Sequence, residues 1–506
     1  MLKIKIIFIV LFLINSFLGI AQDGSLDNSF GTNGRTQVDV SETNSTGDEL
    51  AYAVATNSSG YIFIVGQTNV NNVTTPTVLK LEPNGTLDSS FGNSGVLFKD
   101  LGVDSTFEDI NILQDDSMLI SGVLNPFSIP SMRNPMIAKL LSDGSIDTSF
   151  GTNGLLSPFP DDNALFIWTI SNNETIYTAG TISDTNNTDF ALRRFLSNGT
   201  IDTSFGTNGI VSFDIEGVPF QSNAIAISND NKILLNGVLT NNGMSSNVLI
   251  RLNSDGSLDS SFGTNGIVSI ALNSEYRCQI EVYENDYLAV LYSRYDINFE
   301  FVDNQIMRFN TDGVLDLSFG NNGILIPSPT ITNLASTEII IQDNQRLLLF
   351  GEITNFMEGG GAPYLNRYLL DGTEDPSFNH SGNDIDYYAS DFMLQENGKI
   401  LCLGTTPWYT GIEDMVIERY NNTTLSVENF NYKTLKLYPN PTSGLFTIES
   451  SIVLNYLPYD VIDLTGKVIS SGQLNGFTTD IGLSSLPNGV YFLKVLDASY
   501  RVLINN

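Results

Sequence analysis

An all-β fold assembled from seven copies of one unit is what this sequence predicts. Three observations carry that expectation. A short motif returns at nearly fixed spacing, the same succession of β-rich segments fills each interval, and the two ends of the repeated region complement each other.

The motif is D-G-S-L-D-N-S-F-G-T-N-G at residues 23–34. Its phenylalanine recurs as Phe30, Phe91, Phe150, Phe205, Phe262, Phe319 and Phe378, at intervals of 55 to 61 residues. Every copy reads [DN]-G-x-x-D-x-S-F-x-x-x-G without insertion. Self-similarity at such a period marks a repeat architecture.

Between the copies, short runs rich in apolar and β-branched residues read as strands. In the first period they are 51–56, 61–66, 77–81 and 95–99. The turn between the first two, Asn57-Ser58-Ser59-Gly60, returns as Gln114-Asp115-Asp116, Asn172-Asn173, Asn229-Asp230-Asn231, Asn285-Asp286, Asp343-Asn344 and Asn397-Gly398. Asn, Asp and Gly tolerate the positive φ of tight hairpins. Four antiparallel strands per unit, seven times over, is the arithmetic of a seven-bladed β-propeller. The last unit offers strands near 389–394, 399–404 and 414–420 and then lacks its motif. The N-terminus supplies the missing piece, with Asp23-Gly24 opening a motif and 35–40 a fourth strand. The N-terminal strand is therefore expected to close the last blade and remove two exposed edges. An open β-solenoid has no need of that complementarity.

Motif and period resemble the delta-sixty repeat family of bacterial propellers over residues 23–421. The resemblance implies architecture and little chemistry.

Two repeated polar positions invite a functional reading. The motif aspartates are Asp27, Asp88, Asp147, Asp202, Asp259, Asp316 and Asp375. They could serve calcium or catalysis, but Asp followed two residues later by Ser favours a side-chain-to-backbone turn. A cation stands eleven positions before six of the motif phenylalanines: Lys80, Lys139, Arg194, Arg251, Arg308 and Arg367. Arg419 takes the matching place in the last blade. Each is expected to pair with a motif aspartate of its own or a neighbouring blade. A cationic ring for an anionic ligand is the alternative.

Function is expected on the opposite, irregular face, in the segments 67–76, 123–135, 181–189, 238–247, 292–304, 352–364 and 405–413. Variable loops on a rigid scaffold are where binding concentrates. Ligand-binding candidates are Tyr295, Phe299, Phe356, Trp408 and Tyr409 (with Phe127), beside Asp161, Asp162, Asp214 and Glu216. Aromatics next to carboxylates suit a sugar or peptide. The sole histidine, His380, excludes a Ser-His-Asp triad or multi-histidine metal site. No catalytic residue stands out. A two-carboxylate glycosidase remains open, because acids are plentiful.

Residues 1–21 read as a secretory signal peptide: Lys3 and Lys5, an apolar run from Ile6 to Leu18, then small residues at 19–21. Removing them takes two lysines and no acid from the net charge of −33, leaving −35. Such acidity argues against nucleic acid and anionic membranes as partners. It serves solubility, and divalent-cation binding is its sharper reading; no specific calcium motif is present, so no cofactor is assigned. No further segment is long and apolar enough to span a membrane. Cys278 and Cys402 are expected to be buried free thiols.

After a polar linker (422–434) a β-rich module fills 435–506, patterned as a small β-sandwich. Pro439, Asn440, Pro441, Gly444, Gly466, Pro487, Asn488, Gly489 and Tyr491 resemble the landmarks of the type A C-terminal sorting domain of the type IX secretion system. The resemblance implies the outer-membrane secretion machinery as a partner and a secreted or surface location on a Gram-negative cell. The expectation is a non-catalytic binding or scaffold propeller with a glycan or protein ligand. An extracellular carboxylate-dependent enzyme acting on polysaccharide or peptide is the alternative.

Overall fold

The structure is a computed structural model. It describes residues 23–40, 49–71, 73–125, 134–156, 164–172, 175–183, 188–213, 220–241, 244–270, 278–295, 301–327, 334–342, 345–355, 360–378, 387–407, 413–422, 435–463, 467–483, 486–495 and 498–505. The expected signal peptide lies outside them. Every regular element among the described residues is a strand, and no helix there is long and apolar enough to cross a membrane. The chain divides into two compact units, Met1–Thr424 and Leu425–Asn506.

In the first unit strands follow one another as antiparallel meanders. Four-stranded sheets comprise Leu50–Thr56, Ile62–Val70, Val73–Leu81 and Val96–Phe98; Ser105–Ile112, Met118–Leu124, Asn134–Leu140 and Leu155–Leu156; Ala164–Asn172, Thr175–Ser183, Thr188–Phe195 and Ile210–Phe213. Two more are Phe220–Ile227, Ile233–Asn241, Met244–Leu252 and Ile267–Ile270, then Cys278–Val282, Leu288–Tyr295, Phe301–Phe309 and Ile324–Leu325. A three-stranded sheet, Leu334–Ile341, Leu347–Asn355 and Gly360–Tyr368, comes next. In the last sheet Tyr388–Leu394, Ile400–Thr405 and Met415–Tyr420 are joined by Arg35–Val38 from the start of the chain. That pairing is antiparallel, with Arg35 opposite Glu418 and Val38 opposite Met415.

First strands of successive sheets lie against each other at most junctions, and Tyr388–Leu394 returns to Leu50–Thr56. Between the second and third sheets Asn134–Leu140 meets Ala164–Asn172 instead.

The apolar cores sit between the sheets, each organised around a motif phenylalanine. Phe91 is buried among Phe63, Val65 and Val78 of one sheet and Phe107, Met118 and Ile120 of the next. Phe205, Phe262, Phe319 and Phe378 occupy the same place at later junctions, Phe150 joins the second and third sheets, and Phe30 joins the last sheet to the first. Burying one such ring contributes about 1.5–3 kcal/mol. The glycine of the following motif makes room for it. A Cβ on Gly85 would stand 2.7 Å from the Phe30 ring, and Gly85 also needs its φ of +89°. Cys278 and Cys402 are both buried and unbridged.

One expectation needs correction. Much of the irregular face is regular: the second and third strands run on into 67–76, 238–247 and 352–364 as long hairpins. In the first, Ile62–Val70 and Val73–Leu81 pair from Ile62–Leu81 to Val70–Val73. The β-branched run Thr68, Val70, Val73, Thr74, Thr75 favours extending the ladder over leaving a loop.

In the second unit Lys436–Tyr438, Leu445–Ile462, Gly489–Val495 and Ala498–Ile504 lie in that order in a sheet, and Val468–Gly482 also pairs with Leu445–Ile462. Its core gathers Phe446, Ile448, Val461, Leu474, Leu493, Val502 and Ile504.

Candidate functional site

Each repeated turn is a saturated network. In all copies the motif aspartate Oδ1 accepts from the serine amide at 2.9–3.1 Å and its hydroxyl at 2.5–2.7 Å. Its Oδ2 faces the repeated cation of its own sheet. Arg194, Arg251, Arg308 and Arg367 each donate Nε to it at 2.8 Å. Arg419 does so to Asp27, also at 2.8 Å. Lys80 and Lys139 stand 2.9 and 3.3 Å from Asp88 and Asp147.

Arginine has further donors, and it spends them on the next turn. Nη1 reaches the carbonyl of Ser254 from Arg194, of Thr311 from Arg251, of Leu370 from Arg308 and of Pro83 from Arg419. In the penultimate sheet Arg367 Nη1 meets Asn422 Oδ1 at 2.6 Å and Asp23 Oδ2 at 2.8 Å. Each guanidinium also lies over its motif phenylalanine, 4.5–4.8 Å from the ring centre. Lysine has no second arm, and after Lys80 the step to the next turn is made by Lys99, whose Nζ donates to Gly144 O at 3.1 Å.

The electrostatics follow. At Asp88 the Ser90 hydroxyl and then Lys80 outweigh burial and hold the carboxyl down to about 2. At Asp259 burial works the other way, yet Ser261, Lys232 and Arg251 keep its pKa well below the usual carboxylate range. Binding a metal here would require displacing a cation already bonded to both lobes of the turn.

Residues that the sequence pattern did not single out form a second cluster on the first strands. The ladder slips within several of these strands, including Phe107/Asp109, Ala335/Glu338 and Ala389/Asp391. Just after the slip Asp391 crosses to the next sheet, and Gln279 does the same from Cys278–Val282, whose ladder runs without a slip. Asp391 Oδ2 accepts from Val54 N at 2.7 Å, and Gln279 brackets Ile339 with bonds of 2.6 Å from its N–H and 2.9 Å to its carbonyl. Glu338 accepts from Phe392 N–H and shares a hydrogen bond with Asp391. Burial pushes both carboxyls up, so the pair retains a proton near neutrality. Glu281, beside Gln279, is raised by burial to about 8. Asp109 keeps solvent contact, yet the surrounding protein raises it too. The signal in the sequence was an acid inside an apolar strand, as in S-T-E-I-I-I or A-S-D-F-M-L. Carboxyls in direct hydrogen bond stand closer than the roughly 5 Å or more that glycosidase pairs need, so this pair reads as a staple between sheets.

Of the binding candidates, Asp161, Asp162, Asp214, Glu216, Phe299, Phe356, Trp408 and Tyr409 lie outside the described residues, as do Phe127 and His380. Tyr295 ends Leu288–Tyr295, opposite Phe301. The structure therefore does not bring this set together among its described residues.

In the C-terminal unit Asn440 ties its loop to the last strand: Oδ1 accepts from Leu503 N at 2.9 Å and Nδ2 donates to Arg501 O at 2.7 Å. Tyr491 donates its hydroxyl to Pro487 O at 3.1 Å, and Gly444 holds a φ of +103°. Gly466 is outside the described residues.

Residues 436–504 match the family of secretion system C-terminal sorting domains. This unit is a type IX sorting domain. All of the sorting landmarks named above fall within the match. The repeats match a β-propeller domain of unknown function, DUF5122, at 58–91, 173–205, 228–262 and 298–319. The first unit is thus a β-propeller, and its sorting domain makes the protein a secreted or cell-surface one.

No curated protein matches the chain. Similar solved structures include a mutant Trypanosoma rangeli sialidase displaying trans-sialidase activity, 8% identical, covering 94% of this chain and 89% of that one with a TM-score of 0.36. The β-propeller domain of the Trilobed protease from Pyrococcus furiosus is 9% identical over 74% of this chain and 98% of that one, TM-score 0.40. Penicillium chrysogenum alpha-L-arabinanase is 9% identical over 76% and 98%, TM-score 0.38.

Proposed function

We propose that this protein is an exported binding scaffold: a seven-bladed propeller closed by its N-terminal strand, carried across the outer membrane by its sorting domain, which folds as a small β-sandwich. The observation that carries the reading is the sorting-domain match at 436–504. A signal peptide at 1–21 delivers the chain to the periplasm, and the outer-membrane secretion machinery then engages the C-terminal unit. The repeat region belongs with the delta-sixty propellers.

The motif aspartates and their cations act as fasteners of the turns. Their lone pairs and N–H groups are consumed within the fold, which supports that role over an anion-binding ring. Ligand recognition falls to the opposite face, through Tyr295, Phe299, Phe356, Trp408 and Tyr409 with Asp161, Asp162, Asp214 and Glu216. Glycan or peptide is the ligand class that such aromatics and acids suit.

A glycan and peptide array probed with the purified full chain, followed by product analysis of every hit, tests this. Saturable binding with intact ligand is expected. Cleaved ligand would replace the scaffold reading with a hydrolase or lyase, and a blank array would leave an architectural coat protein.

A further inference from the structure

Where the last sheet takes up the N-terminal strand, three carboxylates from remote parts of the chain converge. Asp39 follows Arg35–Val38, Glu49 precedes Leu50–Thr56, and Asp414 precedes Met415–Tyr420. One oxygen from each lies within 4.8 Å of the others. Glu49 and Asp414 are buried, while Asp39 reaches solvent.

Acids crowd together on many surfaces without a ligand, so proximity alone decides nothing. Asp414 adds an independent observation. Its side chain is held by the Gln37 amide on Oδ2, and its backbone by reciprocal bonds with Thr406. The other oxygen, Oδ1, is buried with no hydrogen-bond partner among the described residues, on a residue only 6% exposed. A buried carboxylate oxygen lacking a donor is costly, and proteins rarely retain one without a hidden partner. Glu49 is oriented in turn by Val40 N–H, which donates to Oε2 at 3.0 Å.

We propose that Asp39, Glu49 and Asp414 bind a divalent cation, with calcium preferred. Calcium takes oxygen ligands at about 2.3–2.6 Å, so oxygens sharing one ion stand at most about 5 Å apart. The cluster meets that bound with no movement of the backbone. Magnesium demands shorter distances and stricter octahedral geometry, and it gives up its water reluctantly. The half-open Asp39 side leaves room for water in the coordination shell. Bound there, the ion links the closing strand, the entry to the first sheet and the last sheet. It would therefore act as a clasp on ring closure, at the end of the sheets that carries the irregular segments, with Asp414 directly after 405–413.

The test is thermal melting of the EDTA-stripped full chain without metal, with 10 mM calcium and with 10 mM magnesium as probes, accompanied by terbium luminescence. Calcium is expected to raise Tm by about 2 °C or more, at an affinity of about 10⁻⁴–10⁻³ M typical of extracellular sites, and magnesium less. Asp414→Asn and Asp39→Asn are each expected to abolish the rise and weaken terbium binding at least about tenfold. Asp39 is exposed, so its variant decides the matter even if Asp414→Asn does not fold. No rise in the parent chain, or an equal rise in Asp39→Asn, overturns the site and leaves calcium on the general acidic surface.

Discussion

Arg419 donates Nε to Asp27 Oδ2 at 2.8 Å across 392 residues of chain, the same bond at the same length that Arg251 makes to Asp259 eight residues away. The closing turn is thus chemically the equal of the turns made within one sheet. Arg35, on the closing strand, adds a second tie 3.6 Å from the buried Glu418. What separates the ends in sequence is invisible to the fold, because the N-terminal residues supply the piece the last unit lacks.

Removing one buried partner should expose how much a turn contributes. Arg251→Ala strands Asp259 in a buried setting, although Lys232 stays 3.0 Å away to soften the loss. A destabilisation of about 2–4 kcal/mol is expected, below the upper end for a fully uncompensated charge. Lys139→Ala breaks a longer, more open contact of 3.3 Å and should cost under about 1 kcal/mol. Denaturant melts of the two variants decide it; equal losses would show that the ion pair is not what distinguishes the turns.

The seven motif aspartates all have depressed pKa values, with Asp88 at about 2. An unfolded aspartate titrates near 3.9. Between those values the unfolded chain binds protons that the folded chain refuses, so stability falls as pH falls. The contribution is complete above about pH 4 and is lost as pH falls through the depressed folded values, about 2 in the case of Asp88. Unfolding free energy measured from pH 5 to 2 should drop steeply. A flat profile would mean that the turns do not carry their carboxylates as charged partners.

Buried acids on the first and second strands push the other way. Glu281 is raised to about 8, and Glu352, which accepts from Ala389 N at 3.0 Å, is raised by burial to about 6. Folded chains then keep protons that unfolded glutamates lose near 4.3. That stabilisation is full below about pH 4 and declines as pH rises toward 6–8. Together with the turns, it places the stability maximum near pH 4–5. Glu281→Gln should flatten the fall between pH 6 and 8, and a slope identical to the parent would exclude Glu281 as its source.

How much of this was legible in the chain depends on where each signal lives. The repeat was legible because its motif is contiguous, and closure because the last unit visibly lacks what the N-terminus carries. The sequence put each cation and aspartate at one strand end without saying whose aspartate it met; the structure pairs each within its sheet and sends the arginine's spare N–H to the next. The long hairpins read as loops in the sequence, since threonine-rich polar stretches such as Thr74 and Thr75 look irregular until they pair. The Asp391–Glu338 contact and the meeting of Asp39, Glu49 and Asp414 join residues tens to hundreds of positions apart, and no local pattern records such encounters.

In the sorting domain the clearest test falls on Asn440. Its side chain bonds both Leu503 N–H and Arg501 O, holding Ala498–Ile504 to the loop at 438–441, while Val502 and Ile504 bury their side chains beneath. Each hydrogen bond contributes about 0.5–1.5 kcal/mol, and Asn440 is exposed, so the lower half of that range applies. Asn440→Ala should therefore loosen the last strand without unfolding the unit, because the apolar contacts of Val502 and Ile504 remain. Hydrogen exchange of peptides covering 498–505 should quicken about fivefold to thirtyfold with both bonds lost, while peptides of the propeller exchange as in the parent chain. Unchanged exchange at 498–505 would show that the terminal strand is held by its pairing with Gly489–Val495 and its buried side chains, without help from the Pro-Asn-Pro loop.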